Sequence, residues 1–218
     1  MIGHLLLDFD GTLVDSSAGI LESMRRAVAA TGRTVRVELT SAMIGPPLRV
    51  LAATAIGSSD PELLGAVEGA FKRDYDERGY LSTHPYTGVE HALGALGAGG
   101  VRLHIVTNKR LVPTRQILAA LGWTDLFSSV NTLDSCAAAK TKTDVVRTLL
   151  VELGAPGANV ALVGDSADDA AAAHGNGLAF GWASWGYGRD PVLASQGTHL
   201  ADAADLLRHY LGTVDAGP

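Results

Sequence analysis

A short apolar run that ends in two aspartates constrains this chain more than any other feature. Residues 5–7 are all leucine, and Asp8, Asp10 and Gly11 follow directly. The run is too short for a helix and is typical of a buried parallel strand. Side chains two positions apart on an extended strand share a face, so both carboxylates are predicted to point the same way. Because like charges that close need a cation or a shared proton, the pattern indicates a site; an acidic turn is the alternative.

Composition narrows the classes of protein and of partner. The 218 residues suffice for one large domain or for a core with an insert. A net charge of −6 gives no basic footprint, so we expect no nucleic-acid partner. The single cysteine, Cys136, cannot form an intramolecular disulfide, which favours a reducing, cytoplasmic location. No run reaches the length of a membrane span, and we expect no membrane partner.

The order of helical and strand-like segments predicts the fold class. Residues 15–81 read as helical throughout, with no convincing strand; the first helix is expected to end near Thr31 and Gly32, and a rigid turn is expected at residues 43–49. Further along, strand-like segments at 101–106, 127–131, 160–163 and 178–182 alternate with helical patterns. Together with residues 5–7, this alternation predicts an α/β fold with a parallel, doubly wound, Rossmann-like sheet.

Polar residues follow several of these strands where each one ends. Asp8 and Asp10 follow the first, Thr107 and Asn108 the second, and Asp165 the fourth. Ligands of such sheets bind beyond the carboxyl ends of the strands. We therefore expect these side chains to converge on one edge of the sheet.

The chemistry of this set indicates a cation and a phosphate. Carboxylates from two strand ends, with Asp169 one helical turn beyond Asp165, make a hard oxygen cluster that suits Mg²⁺. With a cation bound, the cluster attracts a phosphate and still leaves a carboxylate as nucleophile. Thr107 and Asn108 precede a helix and can hold phosphoryl oxygens. A lysine would balance the charge of the transition state.

Several motifs carry a resemblance to a known family. They are Asp8-Phe9-Asp10-Gly11-Thr12, Val106-Thr107-Asn108-Lys109 and Gly164-Asp165-Ser166-Ala167-Asp168-Asp169, with Ile44-Gly45-Pro46-Pro47-Leu48 and Pro85-Tyr86-Thr87-Gly88-Val89 between them. On these motifs the chain resembles the haloacid dehalogenase superfamily over nearly its whole length. It is most similar to phosphatases related to phosphoglycolate phosphatase that carry a helical cap. The resemblance implies a core of residues 1–14 and 82–218, with residues 15–81 as the cap.

The family lysine has two candidates in this sequence. In some relatives a lysine, any residue, Asp, Val and Ile lead into the next helix, and Lys142 matches that register. Lys140 suits the spacing of the version in which a proline follows the lysine. We prefer Lys142 and keep Lys140 as the alternative.

The resemblance also implies a role for each residue of the site. Asp8 would attack phosphorus and form an aspartyl-phosphate, and Asp10 would act as general acid and base. Mg²⁺ would be held by Asp8, the backbone carbonyl of Asp10, Asp165 and, directly or through water, Asp169. The phosphoryl group would contact Gly11, Thr107, Asn108 and Lys142.

Residues around this centre are also considered. Arg49 and Arg78 of the cap are the candidate contacts for the substrate, and a solvated surface arginine is the alternative for each. Lys109 is expected to be a solvated residue at a helix start, with a substrate contact left open. Asp168 is expected to be a helix-start acid, and Tyr187 to pack beside the site.

The resulting prediction is a Mg²⁺-dependent phosphatase that acts on a small phosphorylated metabolite as a monomer or weak homodimer. A phosphosugar mutase of the β-phosphoglucomutase type is the alternative within the family. A phospho-accepting signalling receiver domain is the alternative from another class. Because Asp10 is present, a dehalogenase is not expected.

Overall fold

A six-stranded parallel sheet lies at the centre of this computed structural model, which describes residues 2–137, 139–154, 159–188 and 191–211. The strands are β1 (His4–Leu7), β2 (Val14–Asp15), β3 (His84–Pro85), β4 (Arg102–Thr107), β5 (Ser129–Thr132), β6 (Val160–Gly164), β7 (Ala179–Ala183) and β8 (Thr198–Leu200). The large sheet has the order β5-β4-β1-β6-β7-β8, and β2 pairs with β3 separately. The predicted parallel α/β architecture is confirmed.

Helices flank this sheet and fill the segment between β2 and β3. They are α1 (Ser17–Ala30), α2 (Leu48–Ile56), α3 (Pro61–Glu77), α4 (Val89–Ala98), α5 (Leu111–Ala120), α6 (Lys142–Leu153), α7 (Ala167–His174) and α8 (Ala203–Tyr210). Within the described residues, none of them is long and apolar enough to cross a membrane.

Residues 5–7 of the first strand are all apolar because both faces of the strand are covered. It lies between β4 and β6 and pairs with each in parallel register. Leu5 and Leu7 point into the core cluster that holds residues of α4 and α8, whereas Leu6 points into the cluster that holds residues of α6 and α7. All three leucines are fully buried, and each contributes about 1.5–3 kcal/mol by leaving water. The strand is thereby fixed, and its carboxyl end has a defined position.

The helices α1, α2 and α3 share a hydrophobic cluster of their own. Met24, Leu51, Val67 and Phe71 belong to it. The expected helix end near Thr31 and the expected turn before α2 are confirmed, but the helical reading is wrong for residues 33–42, where the structure has only the start of the 3-10 turn Ser41–Met43. Consecutive prolines at 46 and 47 cannot donate backbone hydrogen bonds, and α2 begins only after them. The division into a core and a cap domain stays a prediction.

The two crossings between the sheet and the helices α1–α3 run side by side. Val14 pairs with Pro85 and Asp15 with His84, in antiparallel register. The chain thus leaves and re-enters the sheet region through one two-stranded ribbon. This pairing lies next to the loop that carries Asp8 and Asp10.

Candidate active site

Lys142 joins two buried carboxylates at the carboxyl edge of the sheet. Its Nζ lies 2.6 Å from Asp8 Oδ1 and 2.5 Å from Asp169 Oδ1. Asp8 follows β1 directly, while Lys142 is the first residue of α6 and is buried. Lys140 is exposed, and only its backbone N–H is held, by Asp144 Oδ2 at 3.1 Å. Of the two candidate lysines, the structure places Lys142 in the site.

The pKa values of Asp8 and Lys142 are both raised, for different reasons. Burial raises the pKa of Asp8 well above its ordinary value; the charge of Lys142 opposes this rise, and the charges of Asp169 and Asp165 add to it. Burial by itself would lower the pKa of Lys142, but Asp169 and Asp8 raise it above that of a free lysine. Lys142 is therefore a permanent cation, and the carboxylates around it lack full compensation.

Three buried carboxylates converge closely enough to hold one metal ion. Oxygen atoms of Asp8, Asp165 and Asp169 all lie within 4.8 Å of one another. Burial, followed by the charge of Asp169, raises the pKa of Asp165 to about 6. Three carboxylates this close together fit a hard divalent cation such as Mg²⁺, which would relieve the repulsion among them.

Local hydrogen bonds aim the second and third of these carboxylates. Asp165 Oδ2 accepts from the backbone N–H groups of Tyr187 at 2.7 Å and Gly188 at 3.0 Å. Asp169 is the third residue of α7, and its Oδ2 accepts from the backbone N–H and the hydroxyl of Ser166. This reciprocal capping box fixes the start of α7 and turns the other oxygen of Asp169 towards Lys142.

Glycine is required where the loop after β1 passes the Asp165 carboxylate. Gly11 has φ +89°, a conformation that other residues rarely adopt, and a Cβ there would overlap Asp165. Gly186 meets the same obstacle from the other side, because its Cβ would overlap the carbonyl of Gly11 and the side chain of Asp165. Two backbones thus enclose one carboxylate at van der Waals distance.

Asp10 has partners that sequence reasoning did not find. Lys109 Nζ lies 3.0 and 3.1 Å from its two oxygens, and the Ser16 hydroxyl donates to Oδ1 at 2.5 Å. The prediction of a solvated Lys109 is wrong: its side chain is 5% exposed, and Nζ also donates to Tyr75 Oη at 2.8 Å. Burial would lower the pKa of Lys109, but Asp10 and Tyr75 raise it above the ordinary value.

The loop between β4 and α5 brings the expected polar pair to the same pocket. Thr107 is buried at the end of β4, and its Oγ1 accepts from the backbone N–H of Lys109 at 3.2 Å. Asn108 Nδ2 donates to the Gly45 carbonyl at 3.0 Å and to Asp168 Oδ2 at 2.7 Å. Because α5 begins at Leu111, Thr107 is the last residue of β4 and Asn108 lies in the loop that precedes the helix.

A pocket opens between this polar edge and the helices α1–α3. Its polar end includes Asp8, Asp10, Thr107, Asn108 and Lys142, and its opposite wall is mostly apolar. Arg49 and Arg78, the predicted substrate contacts, are not among the lining residues. Arg49 is paired with Glu68 at 3.5 Å, and Arg78 with Asp74 at 2.5 Å.

Arg110 is a lining residue that sequence reasoning missed. Its guanidinium makes two hydrogen bonds to the Asp76 carboxylate of α3, one of them at 2.9 Å between Nη1 and Oδ2. Arg110 follows Lys109 directly. Its position just after the Thr107-Asn108 pair was the one feature of the sequence that could have indicated a place near the site. The sequence around Lys109 and Arg110 contains no local pattern that indicates the distant partner of either residue.

Comparison with known proteins gives the same family as the motifs. The family model for haloacid dehalogenase-like hydrolases matches residues 5–183. Tyrosine-protein kinase PtkA of Mycobacterium tuberculosis is 31% identical over 214 residues, which cover 95% of this chain and 72% of that protein. Phosphoglycolate phosphatase of Rhodospirillum rubrum is 30% identical over 222 residues, covering 98% and 92%.

A solved structure agrees in fold over most of the chain. The crystal structure of a predicted phosphoglycolate phosphatase from Haemophilus somnus superposes with a TM-score of 0.85 at 27% identity, covering 95% of this chain and 97% of that one. The sheet, the motif residues at its carboxyl edge and these relatives lead to one assignment. The chain belongs to the haloacid dehalogenase-like hydrolase family.

Proposed function

We propose that this protein is a Mg²⁺-dependent phosphatase that hydrolyses a small phosphate monoester through an aspartyl-phosphate on Asp8. The contact that carries the proposal is Lys142 Nζ at 2.6 Å from Asp8, within a buried cluster that also holds Asp165 and Asp169. A nucleophilic carboxylate beside a fixed cation and a candidate metal site suits attack on an anionic phosphoryl group. The names of the phosphoglycolate phosphatase relatives support the same chemistry.

In the first half-reaction, an oxygen of Asp8 would form a bond to phosphorus as the bond to the leaving oxygen breaks. Asp10 would donate a proton to that leaving oxygen. In the second half-reaction, water would attack the aspartyl-phosphate, Asp10 would accept a proton from this water, and the bond from phosphorus to Asp8 would break. Inorganic phosphate and free Asp8 result, so atoms and protons balance.

The remaining residues would hold charge and position during both steps. Mg²⁺, held by Asp8, Asp165, Asp169 and the Asp10 carbonyl, would neutralise phosphoryl charge when bound. Lys142 would stabilise the charge that develops on the phosphoryl oxygens. Gly11, Thr107 and Asn108 would contact these oxygens, while Lys109 and Ser16 would keep the Asp10 carboxyl group in place.

Two other acceptors for the phosphoryl group are consistent with the same first step. The relatives named tyrosine-protein kinase favour transfer to a protein hydroxyl, with a nucleotide as donor. The mutase alternative returns the group to a sugar. Family membership argues against the receiver-domain alternative. A cytoplasmic location and a monomeric or weakly dimeric state stay predictions.

Phosphate release from p-nitrophenyl phosphate tests the proposal. We expect Mg²⁺-dependent turnover that excess chelator removes and that Asp8→Asn reduces by at least about 10³-fold, because the nucleophile is lost. Asp125→Asn, at an exposed position of the turn between α5 and β5, is the control and should retain activity. Full turnover in Asp8→Asn would overturn the mechanism.

A second assay separates the acceptors. The protein is incubated with γ-labelled ATP and a tyrosine-containing protein, and separately with a sugar phosphate and its bisphosphate activator. Stable label on tyrosine would favour the kinase, and isomerisation of the sugar phosphate would favour the mutase. Release of free phosphate alone supports the phosphatase.

A further inference from the structure

We propose that the pocket selects phosphate monoesters whose leaving alcohol is uncharged and apolar, either an aryl group or an alkyl chain. This inference rests on the proposed phosphatase function and specifies its substrate class. It departs from phosphoglycolate, the substrate in the names of several relatives, because that molecule carries a second anion.

The wall that faces the phosphoryl end is built from hydrocarbon. It is formed by the ends and inner faces of α1, α2 and α3 together with the segment before α2. The apolar side chains that form it are Ile20, Ile44, Leu48, Leu51 and Phe71. A leaving group held between the sheet edge and these helices would therefore contact aliphatic and aromatic surface, which favours burial of an apolar group.

Every cation among the described residues that line the pocket already has a carboxylate partner. Lys142 is bound to Asp8 and Asp169, and Lys109 to Asp10. Arg110 is held by both oxygens of Asp76. Lys142 is needed to stabilise the phosphoryl group itself. Only Lys109 and Arg110 therefore remain as lining cations that could bind a second anion.

A second anion on the substrate would have to take one of these two cations from its partner. If the anion bound Lys109, then Asp10, the proposed general acid, would lose one of the two contacts that position it. Losing Arg110 would leave Asp76 without that pairing at a half-buried position. Breaking such a pair leaves one charge uncompensated, whereas an apolar group in the same space disturbs neither.

A matched series of substrates tests the selection. The wild-type protein is assayed with Mg²⁺ on ethyl, butyl and hexyl phosphate, on phosphoglycolate and on p-nitrophenyl phosphate, with phosphate release as the readout. We expect kcat/KM to rise about fourfold per added methylene while the chain still lies on the wall. Ethyl phosphate, which has the same two-carbon length, should exceed phosphoglycolate by at least about tenfold.

A positive charge placed on the apolar wall should weaken the preference for ethyl phosphate over phosphoglycolate. Leu48→Lys adds a free cation at a half-buried lining position, and Ile44→Lys is a second variant in case the first does not fold. Val50→Lys, on the exposed side of the same helix, is the control. We expect the lining variants to lower the ratio of ethyl phosphate to phosphoglycolate by at least about tenfold, and the control to leave it unchanged.

The outcomes distinguish failure of the proposed substrate selection from failure of the proposed phosphatase function. If p-nitrophenyl phosphate is hydrolysed but phosphoglycolate exceeds ethyl phosphate, or chain length has no effect, the selection is wrong and the phosphatase stands. If no monoester is hydrolysed, both fail. An unchanged ratio in a folded lining variant would also overturn the selection.

Discussion

At the residue scale, two lysines only two positions apart have opposite surroundings. The Thr141 side chain accepts from the backbone N–H of Asp144, and Asp144 accepts from that of Thr141, so α6 begins at Lys142. This start turns Lys142 inwards to Asp8 and leaves Lys140 exposed. The sequence favoured Lys142 by its register, and the capping box supplies the physical reason.

Lys142→Met should therefore damage both activity and stability. Removing the cation leaves Asp8 and Asp169 buried together, which we expect to cost about 3–5 kcal/mol in the free energy of unfolding without metal. Turnover should fall by at least about 10²-fold. Lys140→Met should change stability by less than about 0.5 kcal/mol. Urea unfolding in chelator and phosphate release measure the two effects, and equal behaviour of both variants would contradict the assignment.

Lys109 shows where sequence reasoning fails at this scale. Its partner Tyr75 comes from α3, and its ammonium also lies 4.5 Å from the centre of that ring. A lysine after a strand is normally solvated, and only the folded position of α3 buries this one. No pattern near residue 109 contains that information.

Lys109→Met should lower kcat by about 10–100-fold, because Asp10 loses one of the contacts that fix its position. The loss should be greater for an alkyl phosphate than for p-nitrophenyl phosphate, whose leaving group needs less help from an acid. Lys72→Met, at an exposed position of α3, is the control. A uniform rise in KM with unchanged kcat would show that Lys109 binds substrate instead.

At the scale of elements, strand pairing places two histidines together. His4 Nδ1 and His104 Nε2 lie 3.0 Å apart across β1 and β4, and His104 Nδ1 lies 2.8 Å from Ser129 Oγ on β5. Burial, with His4 and Arg102 nearby, lowers the pKa of His104 to about 4. The unfolded chain therefore binds this proton more readily than the folded one.

Stability should decline as the pH falls from about 6.5 towards 4, because His104 is protonated first in the unfolded state. We expect its share to be roughly 1–3 kcal/mol, fully present above the unfolded pKa. Denaturant unfolding across this range measures it. His104→Asn should flatten the slope relative to wild type, whereas His91→Asn, exposed on α4, should not. Parallel slopes in all three proteins would refute the role of His104.

Most elements could be predicted because their apolar patterns are long or strictly buried. The exceptions have physical reasons. Strand β8 was missed because Thr198–Leu200 is three residues long and only Leu200 of it is buried. Residues 33–42 were overestimated as helical because the helices on each side are amphipathic, while the segment itself contains the β-branched residues Thr34, Val35 and Val37.

At the scale of the whole molecule, the carboxylate cluster ties distant parts of the chain to one site. Asp8 follows β1, Asp165 follows β6 and Asp169 belongs to α7. The motifs predicted that these residues would converge, since parallel strands end at one edge. The wall of the pocket was not predictable, because it depends on how α1–α3 pack over that edge.

Metal binding should consequently stabilise the entire fold. At a Mg²⁺ concentration of about 100 times Kd, the free energy of unfolding should rise by about 2.7 kcal/mol. For a chain of this size that corresponds to roughly 2–4 °C in Tm per kcal/mol. Asp165→Asn should abolish the shift, and Asp168→Asn, exposed on the same helix start, should keep it. Thermal unfolding with Mg²⁺ and with chelator decides; an undiminished shift in Asp165→Asn would exclude it as a ligand.

The ribbon of β2 and β3 has a mechanical consequence. Because Val14 and Asp15 are paired with Pro85 and His84, the helices α1–α3 are joined to the large sheet by a two-stranded ribbon and not by two unpaired segments. Such a ribbon bends across its flat face more easily than it twists. It therefore favours a hinge motion of α1–α3 about one axis over free rotation. Each swing would carry Tyr75 towards or away from Lys109, which also binds Asp10, so closure of the hydrocarbon wall over a bound ester would complete the contacts of the lysine that positions Asp10.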